Sequence, residues 1–204
     1  MNPFAPTRYH HDVNPIWLYE ARRCGGGVLA LPLLVAALIA LASAVFGADE
    51  VLWSAAFEAI PLVAGLACAT AVGRERSIEV QLSVPTPYPV TVGRRVALVL
   101  GTTACAVVLS GLSAMITDGP AVLAGNLVFA LALISIATWV GAGFGSTSGA
   151  SAVVTTVWLV KLLLLSEVAR HTQAVLLLAL AASCVRPTLL RVTDSEAQLR
   201  GAHR

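Results

Sequence analysis

The amino-acid sequence predicts an all-α, polytopic integral membrane protein. Of its 204 residues, 57% are hydrophobic and only 12% are charged, and the mean hydropathy is +0.83. A soluble domain has roughly 25% charged residues, so most of this chain is suited to hydrocarbon rather than water. The second observation is a series of apolar runs close to the about 20 residues that a transmembrane helix needs.

These apolar runs predict six transmembrane helices between residues 28 and 190. The four strongest runs are Val28–Gly47, Val51–Val72, Val96–Thr117 and Ala121–Phe144. Two weaker runs follow, Ala150–Ser166 and Gln173–Leu190, and Arg186 and Pro187 interrupt the second of them. If the last run lies along the membrane surface, the number of spans falls to five.

The positions of the arginines predict the orientation. Arginines stand before the first span, between spans two and three, and after the last span, whereas Arg170 is the one arginine in a loop of the opposite side. Because positive residues stay cytoplasmic, residues 1–27, the loop at residues 74–95 and the tail at residues 191–204 are expected in the cytoplasm. The near absence of lysine favours a GC-rich bacterium, so we expect the bacterial plasma membrane.

Two cytoplasmic pieces have a pattern of their own. In the first, Asn14 suits a helix N-cap and Pro15 the first helical position. Ile16, Trp17 and Tyr19 stand beside the charged residues Glu20, Arg22 and Arg23, which predicts a short helix at the membrane surface. The alternative is a solvated lead-in to the first span.

The second piece, residues 74–95, predicts a cytoplasmic elbow between spans two and three. Its charged residues keep it out of the bilayer, while Ile78 and Leu82 lie four residues apart and form a small apolar stripe on a helix. Three prolines at residues 85, 87 and 89 then stop this helix, and the chain restarts through Thr91 towards span three at Val96. Another protein could bind such an elbow, although an ordinary solvated loop would fit the pattern equally well.

Together, these pieces resemble the permease subunits of exporter-class (second-class) ABC transporters. Those permeases have Asn-Pro and basic residues before span one, a charged Glu-Arg-Glu-like stretch after span two, a Leu-Leu-Ser-x-Pro-like turn, and a basic step into span three. The matching residues here are Asn14-Pro15, Arg22-Arg23, Arg74-Glu75-Arg76 with Glu79, Leu82-Ser83-Val84-Pro85 and Arg94-Arg95. One departure is the short external segment at residues 167–172, where larger relatives form a re-entrant helical element.

The resemblance implies a coupling helix in the elbow that docks on a separate ATP-binding subunit. It also implies a second permease copy or a similar paralogue, with the exported molecule passing between the two permeases. ATP and Mg²⁺ would belong to the partner subunit, and this chain would hold no cofactor. The implied contact residues are Arg74, Glu75, Arg76, Glu79 and Leu82.

No sequence motif predicts catalysis by this chain. A nucleotide-binding P-loop needs a lysine after its glycines, and the one lysine, Lys161, lies inside an apolar run. Residues 141–145 are rich in glycine but follow no strand, so a tight turn at residues 145–149 is predicted instead. Metal binding at His10-His11 is not expected, no HExxH or GxSxG motif occurs, and no nucleic-acid partner is expected.

Glu58 and Lys161 are charges set well inside predicted spans, where they are costly unless paired or hydrated. Glu58 is predicted roughly 10 Å and Lys161 roughly 9 Å below the outer surface, from the rise of 1.5 Å per residue. The matching depths predict that they pair directly or line a hydrated cavity. In the resembling family spans two and five border the central path, so the resemblance implies that the two residues lie on the translocation path. A structural ion pair and a lysine that extends to the surface are the alternatives. Trp158, near mid-membrane, is expected to pack between helices.

Two other function classes compete with the exporter permease. A proton-coupled secondary transporter would use Glu58 as its proton carrier and would show inverted repeats. Spans one to three and spans four to six show no such repeat, since only the first half contains a long charged elbow. The third class is a non-transporting subunit that senses or scaffolds, which would respond to a solute without moving it.

Overall fold

The computed structural model describes residues 13–46, 50–73, 88–114, 120–164, 175 and 177–190. Within these ranges the chain is α-helical except at Gly25 and at Gly145 and Ser146. The all-α prediction is therefore confirmed for the described part of the chain. Its helices are α1 (Val13–Cys24), α2 (Gly26–Phe46), α3 (Glu50–Gly73), α4 (Tyr88–Ala114), α5 (Pro120–Phe144), α6 (Thr147–Leu164) and α7 (Leu177–Leu190).

Three helical stretches are long and apolar enough to cross a membrane. They are Gly26–Val45 in α2, Tyr88–Gly111 in α4 and Ala124–Phe144 in α5. Three further apolar stretches among the described residues are shorter: Phe57–Gly73, Thr147–Leu163 and Leu177–Leu190. In the described part of the chain, three helices are thus both long and apolar enough to span a membrane.

Helix α4 begins earlier than the sequence predicted. It starts at Tyr88, not near Val96, so the last residues of the predicted elbow belong to a continuous helix. Pro89 is compatible with this start because a proline in the first turn removes an N–H that has no intrahelical partner anyway. The consequence is that Arg95 lies two turns inside a helix rather than in a loop.

Helix α3 lies at the centre of the described fold and contacts α2, α4, α5 and α6. Small residues on α3 allow this close packing, and Ala64, Ala67 and Cys68 are each at most 1% exposed. At Gly65, an added Cβ would lie 2.7 Å from Cγ1 of Val154 on α6. Glycine is therefore required where α3 meets α6, as is common between membrane helices.

Gly65→Val should lower the free energy of unfolding of the purified protein in detergent by about 1–3 kcal/mol, as expected for an overpacked site, and so lower its thermal midpoint. Gly101→Val on α4 is the matched control, because nothing lies within 4 Å of a Cβ added at Gly101. The thermal midpoint of each variant measures the effect. Equal midpoints for the two variants would contradict the close α3–α6 contact.

A tight turn joins α5 to α6 at Gly145 and Ser146, within the region predicted for it. Gly145 has a φ of +59°, and its N–H donates to the Gly141 carbonyl over 3.0 Å. The Ser146 hydroxyl accepts a hydrogen bond from the Gly149 N–H at 3.1 Å and so caps α6. The glycines of residues 141–145 therefore end a helix and form a turn.

Helix α2 has an outward stripe of large apolar side chains. These side chains recur every three or four residues, as expected for one face of a helix. Exposed leucines and a valine of this size are suited to contact with lipid chains rather than water. The stripe consists of Leu31, Leu34, Leu38, Leu41 and Val45, which are 43% to 65% exposed.

Candidate functional site

The predicted contact residues for an ATP-binding subunit lie outside the described residues. The structure does describe the two chain ends that flank them, at Gly73 of α3 and Tyr88 of α4. The predicted contact residues in question are Arg74, Glu75, Arg76, Glu79 and Leu82.

A buried charged cluster, here named the elbow base, lies where α1, α3 and α4 meet. It consists of Glu20, Arg95 and the backbone carbonyl of Ala71. Arg95 is only 2% exposed, and its Nε donates to Oε2 of Glu20 over 3.4 Å. Its Nη1 donates to the Ala71 carbonyl over 3.0 Å. One guanidinium thus joins three helices.

The chemistry of arginine suits this position. The last carbonyls of α3 have no intrahelical partners and bear partial negative charge, so a cation beside Ala71 is favourable. A buried charge also needs a counter-charge, which Glu20 supplies from α1. The planar guanidinium has several N–H groups and can satisfy both acceptors at once. Arg95 therefore holds the end of α3 and the start of α4 together across residues 74–87.

Sequence reasoning missed the elbow base. The sequence predicts Arg95 in the basic step into span three, and Glu20 among the charged residues of a short helix at the membrane surface. The signal that could have revealed the pair is the isolation of Glu20, the one acidic residue in α1 beside Arg22 and Arg23. An acid on a short helix that contacts α4 has a cation within reach at Arg95.

The structure brings Glu58 and Lys161 together from α3 and α6. Nζ of Lys161 forms a salt bridge with Oε1 of Glu58, and the side chains are 14% and 22% exposed respectively. We name these two residues the membrane pair. Direct pairing is one of the two arrangements that their matching depths predicted, while their part in a translocation path stays a prediction.

Neighbouring side chains hold the membrane pair in place. Nζ of Lys161 lies 4.9 Å from the centroid of the Phe129 ring, within range of a cation–π interaction. Nε1 of Trp158 donates to the backbone carbonyl of Glu58 over 2.8 Å. Pro61 lacks the N–H that would pair with the carbonyl of Phe57, so the helix is weakened next to Glu58, where the contact from Trp158 links α3 to α6. Trp158 also packs against the core, as predicted.

The carboxylate of Glu58 is only half satisfied. Its Oε2 is buried and has no hydrogen-bond partner among the described residues. A buried acceptor of this kind is costly unless it gains a donor. Oε2 of Glu58 can therefore accept a hydrogen bond from a water molecule or from another donor.

The described residues contain no group of three or more histidine, cysteine or acidic side chains that could hold a metal ion. The interactions observed at the two clusters are ion pairs and hydrogen bonds. No protein-family model, curated protein or solved structure matches this chain.

Proposed function

We propose that this chain is the permease subunit of an ATP-driven exporter of the ABC class. Two such subunits, identical or paralogous, enclose a path through the bacterial plasma membrane. Each crosses the membrane six times with both termini in the cytoplasm. A separate ATP-binding subunit holds ATP and Mg²⁺ and docks on the part of the predicted elbow that precedes α4, residues 74–87.

The observation that supports this function best is the elbow base. A permease must pass a displacement of its cytoplasmic elbow to its transmembrane helices, which requires firm attachment of both elbow ends. Arg95 provides such an attachment, since it contacts Ala71 before the elbow and Glu20 on α1. A partner that moves the elbow would therefore move α1, α3 and α4 together.

Helix lengths favour six crossings. Helix α3 has 24 residues, or roughly 36 Å at 1.5 Å per residue, which exceeds the roughly 30 Å of hydrocarbon. Helix α6 has 18 residues, or roughly 27 Å, which is close to that thickness. Helix α7 is shorter in its described part but packs Leu177, Ala181 and Cys184 against the common core. That attachment favours a sixth span over a detached surface segment.

The test is purification of the C-terminally tagged chain from native membranes in mild detergent. We expect an ATP-binding subunit with a P-loop to co-purify, and Glu75→Arg with Glu79→Arg to abolish its recovery. Asp194→Arg with Glu196→Arg is the matched control, because it makes the same charge change in the predicted tail. Absence of an ATPase in several mild detergents, or equal loss in the control, would contradict the docking role of the elbow.

A proton-coupled transporter is the second candidate, and the unpartnered Oε2 of Glu58 favours it. Such a transporter would move protons across proteoliposomes without nucleotide, and Glu58→Gln would stop this flux. An exporter permease without its ATPase would show no such flux. The two functions therefore give opposite results in one assay.

A further inference from the structure

The side of α3 that contains Glu58 faces both α5 and α6. Seven residues, or about two helical turns, separate Glu58 from Gly65, so the two positions lie on the same side of α3. A Cβ added at Gly65 would lie 2.7 Å from Cγ1 of Val154 on α6 and 3.1 Å from Cβ of Leu133 on α5. Glu58 is therefore directed towards the place where α3 meets both of these helices.

The contacts of α6 agree with this register. Lys161 follows Val154 by seven residues on a helix that runs antiparallel to α3. It should therefore lie opposite Glu58, just as Val154 lies opposite Gly65. The salt bridge between Lys161 and Glu58 shows that it does. A step of seven residues thus leads from one contact to the next.

The same step along α5 leads from Leu133 to Asn126. Helix α5 runs parallel to α3, since Leu133 is followed along the chain by Gly141, which approaches the later α3 residue Val72. Asn126 precedes Leu133 by seven residues. It is therefore placed at the level of Glu58, on the face of α5 that meets α3.

Two further observations agree with this position of Asn126. Phe129 follows Asn126 by three residues, which makes the two neighbours on the helix surface, and the Phe129 ring lies 4.9 Å from Nζ of Lys161. Asn126 is also only 6% exposed, so its carboxamide lies inside the protein. The polar groups of Asn126 and of the membrane pair are thus brought together between three helices.

The hydrogen-bonding capacity of these side chains is not used up. Nζ of Lys161 engages Oε1 of Glu58, and Oε2 is left buried without a partner among the described residues. The carboxamide of Asn126 has two N–H donors and an acceptor oxygen, and it forms no hydrogen bond with another described residue. Buried groups of this kind are costly unless they gain partners.

Charge and hydrogen-bonding pattern decide which partner fits. The membrane pair has no net charge, so a charged ligand would stay uncompensated in a buried place. A neutral ligand has to donate to Oε2 of Glu58 and accept from the N–H of Asn126. A hydroxyl group does both with a single oxygen atom, because its O–H donates while its lone pairs accept.

We propose that Glu58 and Asn126 bind one neutral hydroxyl group between α3, α5 and α6. The hydroxyl belongs to a water molecule or to a solute, and Lys161 holds Glu58 in place through its other oxygen. The site itself does not depend on an ATP-binding partner. Its use by the exported molecule rests on the proposed function, and there it fits a neutral solute with hydroxyl groups.

The test detects the hydroxyl beside Asn126 by NMR spectroscopy of the purified full-length chain in deuterated detergent. The chain has three asparagines, Asn2, Asn14 and Asn126, so asparagine-selective ¹⁵N labelling gives three carboxamide signals, and Asn126→Gln identifies one of them. We expect cross-relaxation between this carboxamide and a held water molecule. Glu58→Leu with Lys161→Met should abolish it, because the acceptor is lost and no charge is left unpaired.

Titration with ¹³C-labelled glycerol distinguishes the two sources of the hydroxyl. Cross-relaxation to glycerol that replaces the water signal would assign the site to a solute, whereas a water signal that persists would assign it to a water molecule. Either result supports the proposal. The control is Glu20→Gln with Arg95→Met, which removes the other buried ion pair and should leave the Asn126 signal unchanged.

Three results would overturn the proposal. The first is a parent chain in which the Asn126 carboxamide shows cross-relaxation to neither water nor glycerol, which would mean that Asn126 bonds directly to protein. The second is a signal that survives loss of the membrane pair, or that is lost equally in the control. The third is displacement of the water by ammonium ions and not by glycerol, which would identify a cation site. Because the measurement uses the chain alone, its failure is distinct from a failure to recover an ATP-binding subunit.

Discussion

Arg95→Ala is expected to destabilise the protein by about 3–5 kcal/mol, because removing one partner of a buried ion pair leaves the other charge uncompensated. Here the stranded group is Glu20, whose side chain is 6% exposed. The Ala71 carbonyl would lose a hydrogen bond at the same time. Reversible unfolding of the purified protein in mixed detergent micelles, followed by circular dichroism, measures the loss.

Two variants show whether this loss comes from the pair. Arg94→Ala is the matched control, since Arg94 forms no salt bridge among the described residues, and it should change stability by no more than about 0.5 kcal/mol. Glu20→Gln with Arg95→Met removes both charges and should recover part of the loss, because no unpaired charge remains. Similar stabilities for Arg95→Ala and Arg94→Ala would show that the elbow base contributes nothing.

The helices could be predicted from the sequence because run length alone locates a membrane helix. The predicted run Val51–Val72 corresponds to α3 at Glu50–Gly73, and Ala121–Phe144 corresponds to α5 at Pro120–Phe144. Lipid cannot satisfy backbone groups, so a long apolar run has few conformations other than a helix. Six complete crossings stay a prediction, since three of the described apolar stretches are shorter.

The membrane pair could be anticipated because depth follows from residue count in a regular helix. Glu58 on an inward span and Lys161 on an outward span were placed at the same level by 1.5 Å per residue. Contact also requires α3 and α6 to be neighbours, which no sequence pattern here shows. Gly65 illustrates the difficulty, since its importance depends on the approach of Val154 from another helix.

The elbow base could not be predicted because its burial depends on where α4 begins. Prolines at residues 85, 87 and 89 indicated a break, yet Pro89 lies in the first turn of α4. With the helix started at Tyr88, Arg95 falls on the same buried face as Thr91, 7% exposed, and Val99, 0% exposed. Whether Arg95 contacts an acidic side chain then depends on the position of α1, which contains Glu20.

If α3 and α6 span the membrane as proposed, Lys161→Ala is expected to destabilise the protein by on the order of 3 kcal/mol, the cost of an unpaired charge inside a membrane span. Glu58 would be left without its cation, and it has an unsatisfied oxygen already. Glu58→Ala should cost less, because Lys161 keeps its contact with the Phe129 ring and can extend towards the surface. Leu163→Ala is the control on α6, since Leu163 is 75% exposed.

The double variant Glu58→Ala with Lys161→Ala shows whether the two residues act as a unit. If they do, it loses no more stability than Lys161→Ala alone, whereas losses that simply add would mean independent roles. Transport by the assembled complex then distinguishes a pair that contacts the solute in the translocation path from a purely structural ion pair. A structural ion pair can be replaced by Glu58→Leu with Lys161→Met with transport retained, because apolar groups of similar size satisfy a core. A pair that binds the solute cannot, since its hydrogen-bonding groups are lost together with its charge.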